Sequence, residues 1–450
     1  MSSVQLGNYT PRQNPVEYID VSAGMFFDGT KNNKTNTNER RANTAAYRAH
    51  GTDPASSYQN DWSNVARLWD TFDKSKSIYI EGIGTQDKQG DATIGYALGS
   101  GSTGIRAKVR KGCEKLAQKI LPVLQQNRDK KLRYISLDVF GFSRGAAAAR
   151  NFVYEISKSA YRARLNADPE SGSTWYTDSD GHVVKNQSMP ACGHLGAKLK
   201  EAGINITTAQ IRVRFLGIFD TVSSYSTNAR IPPNFNDVEE LHLNQIGKAQ
   251  QVIHFTAENE HRENFSLTHT HIGKERSFPG VHSDIGGSYE SGIEVIDEIE
   301  TSWTTNRKLL DYKQKLVNDC WYKEHQLEIT PGWYLALKGT RNLRKEYSYI
   351  PLQFMAEYGK NGGLPFNLRL INDDKYSIKS HPLLVRVKGY LQPYVMASGR
   401  PYVFRPLSAN PAERQAQLDL RELRNTYLHW SANRKGIGMD PNSNRQRVYY

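Results

Sequence analysis

The stretch Ile135-Ser-Leu-Asp-Val-Phe-Gly-Phe-Ser-Arg-Gly-Ala-Ala-Ala-Ala-Arg150 decides how the rest of the chain is read. Residues 135–140 are apolar and rich in strand formers, over the length of a buried strand. Gly141-Phe142-Ser143-Arg144-Gly145 follows, and then a run of alanines of high helix propensity. A G-x-S-x-G placed between a strand and a helix is the context of a nucleophile elbow. The turn holds the serine in a strained backbone conformation, and a side chain at either flanking glycine would collide with the neighbouring strand or helix. Ser143 Oγ then stands clear of the sheet, over a helix N-terminus. A bare Gly/Ser turn would need neither the strand before it nor the alanines after it. A dinucleotide-binding loop is excluded, because the spacing is not G-x-G-x-x-G.

Outward from the elbow, strand and helix patterns alternate. Residues 16–27 read as a central strand that stops at the turn-rich Asp28-Gly-Thr-Lys-Asn-Asn33. In open α/β sheets ligands bind at that edge. Residues 34–60 are polar and predict a long mobile loop, and residues 64–72 a short helix. Residues 77–84 form the next strand, and the Gly-rich 90–104 a flexible wall of the site. In 105–126 the residues Ile105, Val109, Leu116, Ile120 and Leu124 recur at helical spacing. Further strands are expected at 211–219 and 251–256, with a strand-to-loop transition at 277–287. A loop containing Ile231-Pro-Pro precedes the strand at 251–256; residues 293–326 look helical, and the remainder mixes short helices (351–357, 412–425) with aromatic, proline-bearing loops.

This alternation argues for the α/β class: an α/β-hydrolase-like, mostly parallel sheet flanked by helices, with insertions and a C-terminal helical and loop extension. The expected organisation is an arm at 1–16, a catalytic core at 17–290 with an insertion at about 165–205, and an extension at 291–450 packed on the core.

Composition narrows the class further. The hydrophobic share of 38% in 450 residues suffices for a large core and argues against general disorder. No stretch approaches the ~20 apolar residues of a membrane-spanning helix. The polar residues 1–14 lack a signal-peptide core, so export is expected by a route that reads no cleaved leader. Cys113, Cys192 and Cys320 have no metal-ligand spacing, which fits synthesis in a reducing cytoplasm. The formal charge of +13 favours anionic surfaces, yet it is dispersed, and no nucleic-acid motif accompanies it.

A serine hydroxyl needs a base within hydrogen-bond reach and a third group to orient that base. Asp220 stands at the end of a strand later than the elbow, and His282 in a later strand-end loop, giving the order Ser143, Asp220, His282. Asp284 and His429 are the alternative acid and base. Asp284 is close in sequence to His282 and poorly placed to orient it. His269 and His271 resemble a metal pair, but no H-E-x-x-H helix or cysteine cluster joins them. For the developing oxyanion the expected donors are the Arg144 amide and the backbone of Gly29 and Thr30.

With these segments assembled, the chain resembles the lipase effectors of bacterial type VI secretion systems, the phospholipase class with a G-F-S-R-G elbow. The resemblance is carried in order by Phe27-Asp-Gly-Thr-Lys-Asn32, Gly141-Phe-Ser-Arg-Gly-Ala146, Leu216-Gly-Ile-Phe-Asp-Thr-Val222 and Phe278-Pro-Gly-Val-His-Ser-Asp-Ile-Gly-Gly287. Ala257-Glu-Asn-Glu-His-Arg262, Ile350-Pro-Leu-Gln-Phe-Met355 and Gly363-Leu-Pro-Phe366 add to it. It implies an α/β-hydrolase fold, the triad Ser143, Asp220 and His282, and hydrolysis of phospholipid acyl esters in a rival cell's membrane. It also implies delivery by the secretion spike without a signal peptide, an antibacterial role, and a cognate immunity protein. No metal, organic cofactor or nucleic acid is implied. Some family members carry a large C-terminal membrane-engaging module, for which this chain has little room. Membrane contact is therefore expected from basic charge and from exposed aromatics such as Trp333-Tyr334. The nearest rival is a soluble carboxylesterase with the same triad; a basic binding protein without enzymatic activity is more distant.

Overall fold

The computed structural model describes residues 16–92, 101–223, 237–434 and 439–450. Its centre is a six-stranded, wholly parallel sheet. In chain order the strands are β1 (Tyr18–Phe27), β2 (Ser77–Ile80), β3 (Lys131–Phe142), β4 (Ile211–Phe219), β5 (Ala249–Ala257) and β6 (Lys274–Phe278). They lie in the order β6-β5-β4-β3-β1-β2. The elbow strand β3 is therefore internal, between β1 and β4.

Alternation along the strands divides the core into two faces. Met25, Phe27 and Val139 point to one face, where they meet the helices Ile105–Gln126 and Arg144–Glu155. Phe26, Phe140 and Phe142 point to the other, together with Phe215, Phe219 and Phe255. That aromatic face is covered by the helices Asn64–Thr71, Tyr349–Asn361 and Pro382–Met396. Because every strand runs the same way, Phe27, Phe142 and Phe219 all end at one edge, and the residues after them meet there. Among the described residues no helix is long and apolar enough to cross a membrane.

Three segments differ from the sequence reading. Residues 34–60 contain two helices, Lys34–Arg41 and Ala45–His50, rather than an extended mobile loop. Neither has an apolar stripe; both are started by caps. The Asn33 side chain accepts from the amides of Thr35 and Asn36, and the Thr44 hydroxyl from that of Tyr47. Buried Asn36 and Thr37 tie the first helix down through Ser57 Oγ and the carbonyl of Asn60.

The stretch expected to be helical from Ile293 begins instead as a strand, Gly292–Ser302, paired antiparallel with Leu335–Leu343. A register shift between Ile296 and Glu300 lets Ile296 and Ile299 both turn inward, which imitates helical spacing in the sequence. A helix does follow, at Arg307–Asn318. The third difference is Pro382–Met396, a helix in a region read as loops.

The stretch near 165–205 consists of small antiparallel ribbons followed by the helix Gly193–Glu201. The Ile231-Pro-Pro loop lies outside the described residues, as do residues 93–100 of the Gly-rich stretch.

Candidate active site

Ser143 joins β3 to the helix Arg144–Glu155 with φ 59° and ψ −130°, a conformation that costs a side-chain-bearing residue energy and that its surroundings must hold in place. The two flanking glycines make it possible. A Cβ on Gly141 would lie 2.5 Å from the Gly145 carbonyl oxygen, and one on Gly145 only 2.2 Å from that of Asp28. The Ser143 amide donates to the Phe219 carbonyl at 3.0 Å, tying the turn to the end of β4.

Asp220 follows directly on β4, in the left-handed region at φ 44°. Its Oδ1 accepts the Ala257 amide at 2.8 Å. Its Oδ2 lies 2.5 Å from His282 Nδ1. His282 opens a short helix, His282–Gly286, just beyond β6. Its ring packs at 4.6 Å against Phe142 and edge-on at 5.0 Å against Phe265. Engaging Nδ1 with the carboxylate leaves Nε2 as the nitrogen available for proton transfer.

Electrostatics suit the pair. Burial alone would raise the Asp220 pKa, but Arg447 and His282 overcome it and hold the carboxyl far below the usual carboxylate range. Burial pulls His282 below the ordinary imidazole value, with Asp220 opposing. A charged aspartate and a neutral imidazole are the states a general base requires.

Ser143, His282, Thr30 and Arg144 line one cavity of about 580 Å³, a size usual for sites that hold small molecules or parts of larger ones. Among the described residues no direct hydrogen bond joins Ser143 Oγ to His282. Such bonds are often long in unliganded enzymes and tighten with substrate. A larger groove, about 1130 Å³, runs between the helices Ile105–Gln126 and Gly193–Glu201. It contains none of these residues, and lysines and glutamates of both signs line it.

The alternative acid and base found each other. His429 Nδ1 lies 2.7 Å from Asp284 Oδ1, and the His429 ring stacks on Tyr289 at 3.8 Å. His429 and Tyr289 line the same cavity as Ser143. Of the two histidines that resemble a metal pair, His269 bonds through Nδ1 to Glu275 Oε1 at 2.5 Å. Among the described residues no group of three His, Cys, Asp or Glu is gathered to hold a metal ion.

One expected oxyanion donor is otherwise engaged. The Gly29 amide donates to Asp28 Oδ1 at 2.7 Å. Asp28 is buried and also accepts from Ser63 Oγ and Tyr79 Oη, each at 2.5 Å. Burial raises its pKa to about 6 despite those donors. The carboxylate thus takes up the amide that the sequence reading offered to a substrate, and Gly29 does not line the cavity. Thr30 does, with its hydroxyl accepting from Arg144 Nε at 2.7 Å.

Sequence reasoning missed Arg447, whose guanidinium grips Asp220 through both nitrogens, at 2.6 and 2.8 Å. Nothing near Arg447 in the sequence marks it, because only the fold brings it to Asp220.

Comparison with known proteins agrees with this architecture. No curated protein matches the chain in sequence. Among solved structures, that of the Tle1 effector bound to the VgrG spike from the Type 6 secretion system superposes with a TM-score of 0.59. It is 20% identical and covers 99% of this chain and 96% of that one, a likeness of fold. An uncharacterized protein from Pseudomonas aeruginosa is more distant, with a TM-score of 0.40 at 17% identity over 86% of this chain and 52% of its own. The family model for the catalytic domain of Tle1-like phospholipase effectors matches residues 25–307, which include the elbow, Asp220 and His282. The chain therefore belongs to the Tle1-like phospholipase effectors of the type VI secretion system.

Proposed function

We propose that the protein is a serine phospholipase of the A type, in which Ser143, His282 and Asp220 act as a triad on the acyl esters of phospholipids. The observation that carries this is the shared cavity. A serine at positive φ opens into the same space as an imidazole whose other nitrogen is held at 2.5 Å by a buried aspartate.

Ser143 Oγ attacks the acyl carbonyl while His282 Nε2 takes its proton. Asp220 orients the ring and stabilises the imidazolium. The oxyanion forms near the Arg144 amide at the helix N-terminus and the Thr30 amide. The tetrahedral intermediate collapses as His282 returns the proton to the departing glycerol oxygen, releasing a lysophospholipid. Water, deprotonated by the same imidazole, then frees the fatty acid from Ser143. No metal or organic cofactor enters this sequence.

Binding to a membrane surface is supported by two exposed aromatics, Trp303 (77% exposed) and Trp333 (97% exposed), with Tyr334 against the first at 5.0 Å. Amphipathic rings of this kind settle at lipid–water interfaces. Together with the +13 charge they fit an anionic bilayer. Trp303→Ala/Trp333→Ala protein should bind anionic vesicles at least several-fold more weakly, with binding by the wild type falling as salt is added. Binding unmoved by either change would rule this surface out.

The fold it shares with the VgrG-bound Tle1 effector supports a spike component as carrier. An effector of this class acts in the target cell's periplasm or membrane, and a cognate immunity protein protects the producer.

A fluorophosphonate probe tests the nucleophile directly. It should label Ser143, as read by peptide mass spectrometry, with labelling lost in Ser143→Ala and slowed in His282→Ala. Labelling of a different serine, or none in the wild type, would overturn the assignment.

A further inference from the structure

We propose that Arg447 is a positioning residue of the active site, and that the segment 439–450 is therefore part of the machinery for ester hydrolysis. This rests on the triad proposed above and adds a fourth member that, of the three, touches the acid alone.

Asp220 is fully buried, and among the described residues Ala257 provides its one backbone donor. A buried carboxylate so sparsely solvated is costly unless a counter-charge meets it. Arg447 is that counter-charge. Its two terminal nitrogens fork onto the two carboxylate oxygens, the bidentate geometry that fixes a carboxylate's plane as well as its charge. The rest of the guanidinium is also engaged, with Nε donating to the Phe265 carbonyl at 3.0 Å and Nη1 to that of Ala257 at 3.1 Å. Arg447 thus links the end of β5, the loop carrying Phe265 and the acid itself.

The backbone around Arg447 is held as firmly as the side chain. The Leu267 amide donates to the Val448 carbonyl at 2.9 Å, and the Tyr450 amide returns a bond to the Leu267 carbonyl at 2.8 Å. Glu263 donates to the Asp440 carbonyl, and Asn442 to that of His261. The segment is strapped along 261–269, the loop that lays Phe265 against His282. Residues 439–450 lie outside the region matched by the family's catalytic domain, 25–307.

The charges facing the His282–Asp220 pair come from several elements. Glu260 and Arg262 satisfy each other through a forked pair at 3.0 and 2.9 Å. Glu260 also accepts the His282 amide at 3.2 Å. His254, against the Thr221 amide next to Asp220, is held by Glu275. His261 lies beside Glu260, and Tyr449 beside Arg447. With Glu260 and Arg262 cancelling, Arg447 is the cation that balances Asp220. Without it the pair would hold a proton at higher pH. An imidazole already protonated cannot accept one from Ser143.

The test is the pH profile of kcat and kcat/KM on dispersed phospholipid for wild type, Arg447→Gln, Arg447→Lys and Asp220→Asn, with folding followed by circular dichroism. Arg447→Gln should move the acid limb upward by about one to two pH units, with part of the rate returning on the alkaline side. Arg447→Lys keeps the charge but not the fork; its limb should stay near that of the wild type while kcat falls and KM does not. A loss in Arg447→Gln by one factor at every pH, or wild-type kinetics in it, would overturn the proposal. Should Arg447→Gln fail to fold, Arg447→Lys decides, and unchanged kcat there contradicts the role. The two readings fail separately. An active Asp220→Asn protein would sink the triad, whereas an inactive one beside a normal Arg447→Gln would sink this inference alone.

Discussion

The imidazoles of two histidine–aspartate pairs line one cavity, and their aspartates are held differently. His282 and Asp220 come from the ends of separate sheet elements, and Asp220 directs its carboxylate at the imidazole, at one amide and at Arg447. Asp284 instead holds backbone as well as the His429 ring. Asp284 Oδ2 accepts the Val281 amide at 2.9 Å and the His429 amide at 3.1 Å, so its carboxylate caps a short helix and anchors a chain crossing. The His429 ring lies flat on Tyr289. The hydrogen bond between acid and imidazole is much the same in both. The difference lies in what else the aspartate must hold, and in which imidazole comes from the sheet edge where the elbow ends. A His–Asp contact is thus weak evidence of catalysis until its place relative to the nucleophile is known.

Substitutions can break this comparison. The largest effect should come from His282→Ala, a loss of about 10⁴-fold or more in kcat, with Asp220→Asn close behind at about 10³- to 10⁴-fold. His429→Ala should cost less than about tenfold, since that ring lies stacked on Tyr289 and bonded to an aspartate that caps a helix. A collapse of activity in His429→Ala with His282→Ala still active would reverse the two assignments. Asp284→Ala should act on stability instead. It strands two buried amides, at a cost of roughly 2–3 kcal/mol, visible as a lowered thermal midpoint. Full stability in Asp284→Ala would remove the anchoring role.

The pH dependence sharpens the contrast further. Burial favours neutral His282, so the form that accepts a proton persists below the ordinary imidazole value. Activity should therefore survive on the acid side of about pH 6.5, the unperturbed value. An acid limb above that would mean that Asp220 charges the ring at rest.

How much of this was legible beforehand depended on where each signal resides. The elbow is local: strand, glycines, serine and alanines are contiguous, so the strained turn at Ser143 and the α/β class could be read directly. Asp220 and His282 were legible as strand-end residues in the right order. Their pairing rested on chain order and on the closeness of Asp284 to His282 in the sequence, while His429 and Asp284 offered the same chemistry. Gly29 was misjudged because the demand on its amide comes from the neighbouring Asp28 carboxylate, whose burial depends on Ser63 and Tyr79. The helices at 34–50 start from side-chain caps rather than apolar periodicity, and the strand at 292–302 hid behind a bulge. Arg447 had no local signal at all.

The central claim, that Ser143 is the nucleophile of a phospholipase, is tested most directly by fatty-acid and lysophospholipid release from mixed phospholipid vesicles. Wild type should release both in equal amounts, and Ser143→Ala protein of native circular dichroism should release neither. Continued release by the Ser143→Ala protein would contradict the claim outright.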